Sequence, residues 1–216
     1  MKYSQSICAI NLFQIEKVIK KLLKNKINNV HVDFMDGHYV NNFGLNFDIA
    51  KYLINKYPKI NFDAHLMVKK PIKYLKKLID IGFKTIFIPL DQISEIKYLK
   101  ILKKYPNIFF GVMIKSENNV EEYYNIIKNS KVILLMTIDK IGGTGESLNT
   151  KLLNKVFQIK KINKNITIYS DGGLRKENAY LFKKYLIDIS IGGSIIYAFE
   201  NIDKFSNWWN DEMINS

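Results

Sequence analysis

Short apolar runs and longer segments of helical period alternate along the whole chain. The runs cover residues 3–10 (YSQSICAI), 29–35 (NVHVDFM), 60–67 (INFDAHLM), 85–90 (TIFIPL), 108–114 (IFFGVMI), 132–138 (VILLMTI), 166–172 (ITIYSDG) and 188–194 (DISIGGS). They are largely apolar and rich in β-branched residues, which is the pattern of strands buried on both faces. Between them lie stretches such as 12–25 (LFQIEKVIKKLLKN), 71–82 (PIKYLKKLIDIG), 94–105 (SEIKYLKILKKY), 149–161 (NTKLLNKVFQIKK) and 175–185 (RKENAYLFKKY). Their apolar positions recur at helical spacing, and a last helix is predicted in the C-terminal tail. Pro71 suits the first turn of its helix, where a missing N–H costs little, and Gly82 suits its end.

Strands alternating with helices through short connections predict a parallel α/β protein. The eightfold count, the length of 216 residues and the absence of any composition shift favour a closed (β/α)₈ TIM barrel, one domain over residues 1–216. An open doubly wound sheet is the alternative. It needs a glycine-rich turn after the first strand, and Cys8-Ala9-Ile10-Asn11 has none of those glycines.

Composition narrows the picture only a little. No apolar run approaches the ~20 residues of a membrane helix, and the opening MKYSQSICAINLF has no apolar signal core. With the single Cys8, read as a small buried hydrophobe, this predicts a reducing, cytoplasmic setting and no membrane partner. The net charge of +13 raises the question of nucleic acid. The basic residues are almost all lysine, spread through every segment, and Arg175 is the only arginine. Arginine is the favoured residue for base and phosphate forks, so no nucleic-acid partner is predicted. The surplus charge suits attraction of an anionic small molecule.

The chemistry lies in polar residues placed where a strand should be buried. Side chains alternate along a strand, so His31, Asp33 and Met35 share a face, and so do Asp63, His65 and Met67. His31, Asp33 and His65 fall late in their strands, and Asp171 ends the seventh. In a barrel the C-terminal mouth is where function gathers. Two imidazoles and two carboxylates meeting there make an N₂O₂ set for one divalent metal ion; a buried polar network without metal is the alternative. His38, past Gly37, reads as a loop residue beside the site or in solvent. A second kind of site is offered by the glycine loops KIGGTGES (140–147), DGG (171–173) and GGS (192–194). Free backbone N–H groups on one rim suit a phosphate, although glycines also serve ordinary turns.

These motifs resemble one family. HVDFMDGHYV (31–40) resembles the second-strand signature of the ribulose-phosphate 3-epimerases, and DAHLMV (63–68) their third-strand motif. SDGGL (170–174) and IGGSIIY (191–197) resemble the seventh and eighth, SQSICA (4–9) the first, and VILLMTI the sixth. The resemblance implies a ribulose-phosphate-binding (β/α)₈ barrel that inverts C3 of a ketopentose phosphate, as a dimer or hexamer. It implies metal ligation by His31, Asp33, His65 and Asp171, with Asp33 and Asp171 also the acid/base pair. The cation would be Zn²⁺ or Fe²⁺, with Mn²⁺ or Co²⁺ able to substitute. Substrate contacts are implied for Ser6, His65, Met35, Met67, Met136, Gly142, Gly143, Gly145, Gly172, Gly173, Gly193 and Ser194. The methionines could equally be plain barrel filling.

The chain also departs from the family pattern. Asn41 stands where a proline is usual, Pro89 and Asp91 align with a usual His and Glu, and Lys115-Ser116 replaces Asn-Pro. The loop DKIGGTGES lacks a proline, carries Glu146 near a usual glutamine and is about one residue longer. These changes keep a ketohexose phosphate such as D-allulose 6-phosphate open as substrate. A catalytically inactive barrel that binds sugar phosphate or nucleic acid is the reading of another class. The Asp-x-Lys-x-x-Asp element of related decarboxylase-like barrels is not found.

Overall fold

The computed structural model describes residues 1–215 and places all eight strands in one closed, wholly parallel barrel in chain order. The strands are β1 (Lys2–Ser6), β2 (Asn29–Met35), β3 (Asn61–Met67), β4 (Thr85–Pro89), β5 (Phe109–Ile114), β6 (Val132–Met136), β7 (Thr167–Asp171) and β8 (Ile189–Gly192). The helices are α1 (Ile15–Lys24), α2 (Phe47–Lys56), α3 (Ile72–Ile81), α4 (Glu95–Lys104), α5 (Tyr124–Asn129), α6 (Lys155–Ile162), α7 (Ala179–Lys184) and α8 (Ile202–Trp209). This is the (β/α)₈ TIM barrel that the alternation predicts, and the open sheet is excluded because β8 pairs with β1.

Alternation along each strand divides the core in two. Val30, Val32 and Phe34 of β2, Phe62, Ala64 and Leu66 of β3, and Ile133 and Leu135 of β6 point outward into the layer between barrel and helices. The intervening positions fill the lumen, where Met67, Phe87, Met113, Leu134, Met136 and Ile191 pack together. Burying one such aliphatic or aromatic side chain stabilises by roughly 1.5–3 kcal/mol. The lumen is therefore a packed plug, as in other eight-stranded barrels, and its polar residues must be satisfied from within.

Several boundaries differ from the sequence reading. The first strand ends at Ser6, because the chain turns where Ile7 N–H reaches the His31 carbonyl at 3.1 Å. Residues 150–154 form a 3₁₀ turn before α6. Helix α7 starts late because Asn178 braces the preceding loop, accepting from Arg175 N–H (2.8 Å) and donating to the Gly173 carbonyl (2.8 Å). Helix α3 ends as expected, on Gly82 at φ +117°. Trp209 packs inward against Tyr3 and Phe205 and donates to the Met1 carbonyl, whereas Trp208 lies against Phe199. No helix among the described residues is long and apolar enough to cross a membrane.

Candidate metal centre and substrate cleft

Strand register assembles the centre. β2 and β3 pair so that Asp33 faces His65, His31 faces Asp63 and Met35 faces Met67. Asp171 comes from β7, on the far side of β1 and β8. It reaches the same point because the lumen of an eight-stranded barrel is only one side chain wide. Thr137 fixes the end of β7: its N–H and hydroxyl both donate to the Asp171 carbonyl, at 2.8 and 3.0 Å.

The four donor atoms form a ring in which imidazole and carboxylate alternate. His31 Nε2 lies 3.2 Å from Asp33 Oδ1 and 3.9 Å from Asp171 Oδ2. His65 Nδ1 lies 3.0 Å from Asp33 Oδ1 and 3.6 Å from Asp171 Oδ2. All four atoms sit within 4.8 Å of one another. A divalent ion with bonds of about 2.0–2.2 Å spaces neighbouring donors about 3.0–3.4 Å apart, so the ring has the spacing a cation needs, slightly expanded. The donor chemistry agrees with the spacing. His31 Nε2 is buried and makes no hydrogen bond, and an orphaned buried nitrogen aimed at two carboxylates is what a ligand looks like. These residues can hold a metal ion.

Both histidines and Asp33 are held from behind. The other nitrogen of His31, Nδ1, makes a very short hydrogen bond with the buried Asp63 carboxylate, which orients the ring so that Nε2 faces the centre. His65 Nε2 contacts the Met113 sulfur at 2.8 Å, and the Ser6 hydroxyl donates to Asp33 Oδ2 at 3.1 Å. Sequence reasoning gives Asp63 and Met113 no role. The signal for Asp63 is its register two residues before His65 on the lumen face; for Met113 there is none. Neutralising the brace with Asp63→Asn should lower metal affinity by about 10- to 100-fold with little change in fold, read by competition with a chromogenic chelator. Undiminished affinity would show that Asp63 does not orient His31.

The two aspartates have opposite proton affinities. Burial pushes the Asp33 carboxyl up, but the His31 and His65 imidazoles outweigh it and hold Asp33 well below the carboxylate range. For Asp171 burial prevails, aided by the Asp33 charge, and its pKa rises. Burial disfavours the charged form of His31, yet the Asp63 and Asp33 carboxylates keep its pKa well above the ordinary value. Paired carboxyl groups driven apart by their surroundings are a common setting for acid–base work.

Above the ring opens a cleft of about 360 Å³. Of the sequence-derived substrate residues, Ser6, Met35, Met67, Met136, Gly142, Gly143, Gly145, Gly172, Gly193 and Ser194 line it. His65 lies beneath, fully buried. Gly173, beside Gly172, has φ +72° and presses on the backbone of Leu148, and a Cβ there would lie 2.6 Å from that backbone. Cys8 lines the cleft with its thiol 3.4 Å from the Asp33 carbonyl, and burial pushes its pKa up, so it stays protonated. His38 is exposed. The altered loops make their own network at the mouth: Tyr39 donates to Asp91 at 2.7 Å, Lys115 pairs with Asp91 and Glu117, and Lys155 donates to the carbonyls of Lys115, Ser116 and Asn118.

Comparison with known proteins places this geometry. A profile of the Ribulose-phosphate 3 epimerase family matches residues 2–197. The ribulose-phosphate 3-epimerase of Bacillus subtilis is 24% identical over 203 residues, covering 92% of this chain and 93% of that protein. That of Aquifex aeolicus is 25% identical, with 92% and 90% covered, and that of Schizosaccharomyces pombe 27%, with 80% and 76% covered. Among solved structures, a 3-hexulose-6-phosphate synthase from Salmonella typhimurium superposes with a TM-score of 0.75 at 13% identity, covering 100% of this chain and 99% of that one. At that identity the likeness is one of fold alone.

Proposed function

Because the chain belongs to the ribulose-phosphate 3-epimerase family, we propose that it interconverts D-ribulose 5-phosphate and D-xylulose 5-phosphate, with Asp33 and Asp171 moving the C3 proton. The observation that carries this reading is the ring itself: two carboxylates from the non-adjacent strands β2 and β7, alternating with two histidines at the inner end of a cleft.

Epimerisation beside a ketone takes a proton from one face of a carbon and returns one to the other. Asp33 rises from β2 and Asp171 from β7, so a sugar lying over the ring has one carboxylate on either side. Whichever removes the proton, the other delivers its replacement, and the roles exchange in the reverse direction. Ser6 steadies the free oxygen of Asp33. Met35, Met67 and Met136 form an apolar wall that keeps water from the planar intermediate. His31, Asp33, His65 and Asp171 would hold a divalent cation, which would supply positive charge to offset the negative charge developing on the sugar oxygens. Zn²⁺ or Fe²⁺ suits the mixed nitrogen and oxygen set best, and Mn²⁺ or Co²⁺ can replace them.

Side-by-side turnover of D-ribulose 5-phosphate and D-allulose 6-phosphate tests the substrate. The pentose should be preferred at least about tenfold in kcat/KM, since one additional carbon in a fitted pocket costs about that much or more. An equal preference for the hexose would overturn the choice of sugar while leaving the chemistry standing.

A further inference from the structure

We infer that Arg175 is the side chain that recognises the phosphate of the substrate. The inference rests on the epimerase reading for the sugar, and on the cleft itself for the anion. Among the described residues, the wall of the cleft contains three carboxylates, Asp33, Asp171 and Glu146, and a single cation, Arg175. A sugar phosphate carries close to two negative charges at neutral pH. It therefore enters a pocket that already holds carboxylates, and a positive charge in the wall offsets that repulsion.

Arg175 stands where that charge is useful. It shares the cleft wall with Gly143, Gly145, Gly193 and Ser194 from the neighbouring loops, away from the deep-lying His65. Its backbone is fixed, because its N–H donates to the Asn178 side chain that delays α7. Its guanidinium is steadied by one hydrogen bond from Nη1 to the Leu174 carbonyl at 2.9 Å. A guanidinium has about five N–H donors in a planar fork, so most remain for a ligand. Among the described residues no carboxylate pairs with it.

The residue type strengthens the case. The chain has 33 basic residues, and this is the one arginine among lysines. Two parallel N–H groups fit two phosphate oxygens, which a lysine ammonium cannot do. Backbone amides of the glycine loops then complete the cradle rather than carry it alone.

Kinetics of the metal-loaded wild-type, Arg175→Gln and Arg175→Lys proteins test the assignment, with inorganic phosphate as competitive inhibitor. Arg175→Gln should raise both KM for D-ribulose 5-phosphate and the phosphate inhibition constant by about 10- to 100-fold, with kcat kept within about threefold. Arg175→Lys should fall between, having charge without the fork. On unphosphorylated D-ribulose the Gln variant should match wild type within about twofold in kcat/KM. Unchanged KM and phosphate inhibition, or an equal loss on both sugars, would overturn the inference. Calorimetric binding of inorganic phosphate to the wild-type and Gln proteins measures the contribution of Arg175 directly, without turnover. If wild type binds phosphate through Arg175 yet turns over no sugar phosphate, the epimerase reading fails and the arginine assignment stands.

Discussion

Asp33→Asn and Asp171→Asn should each lower epimerisation by about 10²- to 10⁴-fold, and the two should differ in which sugar still exchanges its C3 hydrogen with solvent. The asymmetry follows from the placement of the two carboxylates. On the proposed mechanism each would approach the carbon from its own strand, Asp33 from β2 and Asp171 from β7, and each would serve one epimer as base. A variant keeping only one carboxylate can still remove a proton from the epimer presented to it and return a solvent deuteron to the same face. It cannot complete the inversion. Deuterium should therefore enter D-ribulose 5-phosphate in one variant and D-xylulose 5-phosphate in the other, measured by NMR at saturating Zn²⁺ or Mn²⁺ with bound metal assayed in parallel. If one variant holds metal and loses exchange on both sugars while the other keeps exchange on both, one base serves both faces and the two-carboxylate mechanism is excluded. If neither variant changes exchange, the site lies elsewhere.

Gly44→Ala is expected to be nearly as damaging, through position rather than chemistry. After β2 the chain makes a short excursion, closed by the Asp36–Phe43 bridge, and returns along the strand it has just left. Gly44 N–H donates to the Met35 carbonyl at 3.2 Å and Leu45 N–H to the Asp33 carbonyl at 3.0 Å. A Cβ on Gly44 would lie 2.4 Å from both the Asp33 carbonyl oxygen and the Met35 nitrogen, and 2.9 Å from the Phe34 Cα. All three are backbone atoms of β2, so relief must come from moving the strand that carries His31 and Asp33. Overpacking of this kind costs about 1–3 kcal/mol. In a chain this size that lowers Tm by roughly 3–10 °C. A carboxylate displaced by about an ångström loses about a hundredfold in rate. Gly143→Ala is the matched control for stability, because nothing lies within 4 Å of a Cβ built there. If Gly44→Ala keeps the wild-type Tm and turnover, the return segment is free to shift and Gly44 does not set the position of Asp33.

Nothing in the sequence marks Gly44. It sits in NNFGLN, an ordinary loop composition. What makes glycine necessary is a backbone-to-backbone approach that exists only after the loop has folded back. Asp63 is half legible. Alternation puts it on the lumen face, but its partnership with His31 depends on β2 and β3 pairing in one register rather than the next. Arg175 is visible as the only arginine, yet its position in the cleft wall depends on the Asn178 brace that holds its loop. Gly173 also needs glycine for a reason the DGG motif does not show, its close approach to the backbone of Leu148.

The sequence by itself determined the barrel, the order of its elements and the faces of its strands. Period-two and helical patterns are local, and eight alternations within 216 residues leave little choice of architecture. It also singled out the polar side chains that converge in the lumen, because a histidine or aspartate in an apolar strand is costly without a partner. Closure of the sheet decided the rest. Asp171 meets His31, Asp33 and His65 across a lumen one side chain wide, from a strand that pairs with neither β2 nor β3. Distances among four donor atoms, the orphaned His31 nitrogen and the placing of Arg175 in the cleft are relations between residues far apart in the chain, and such relations have no local pattern from which to be read.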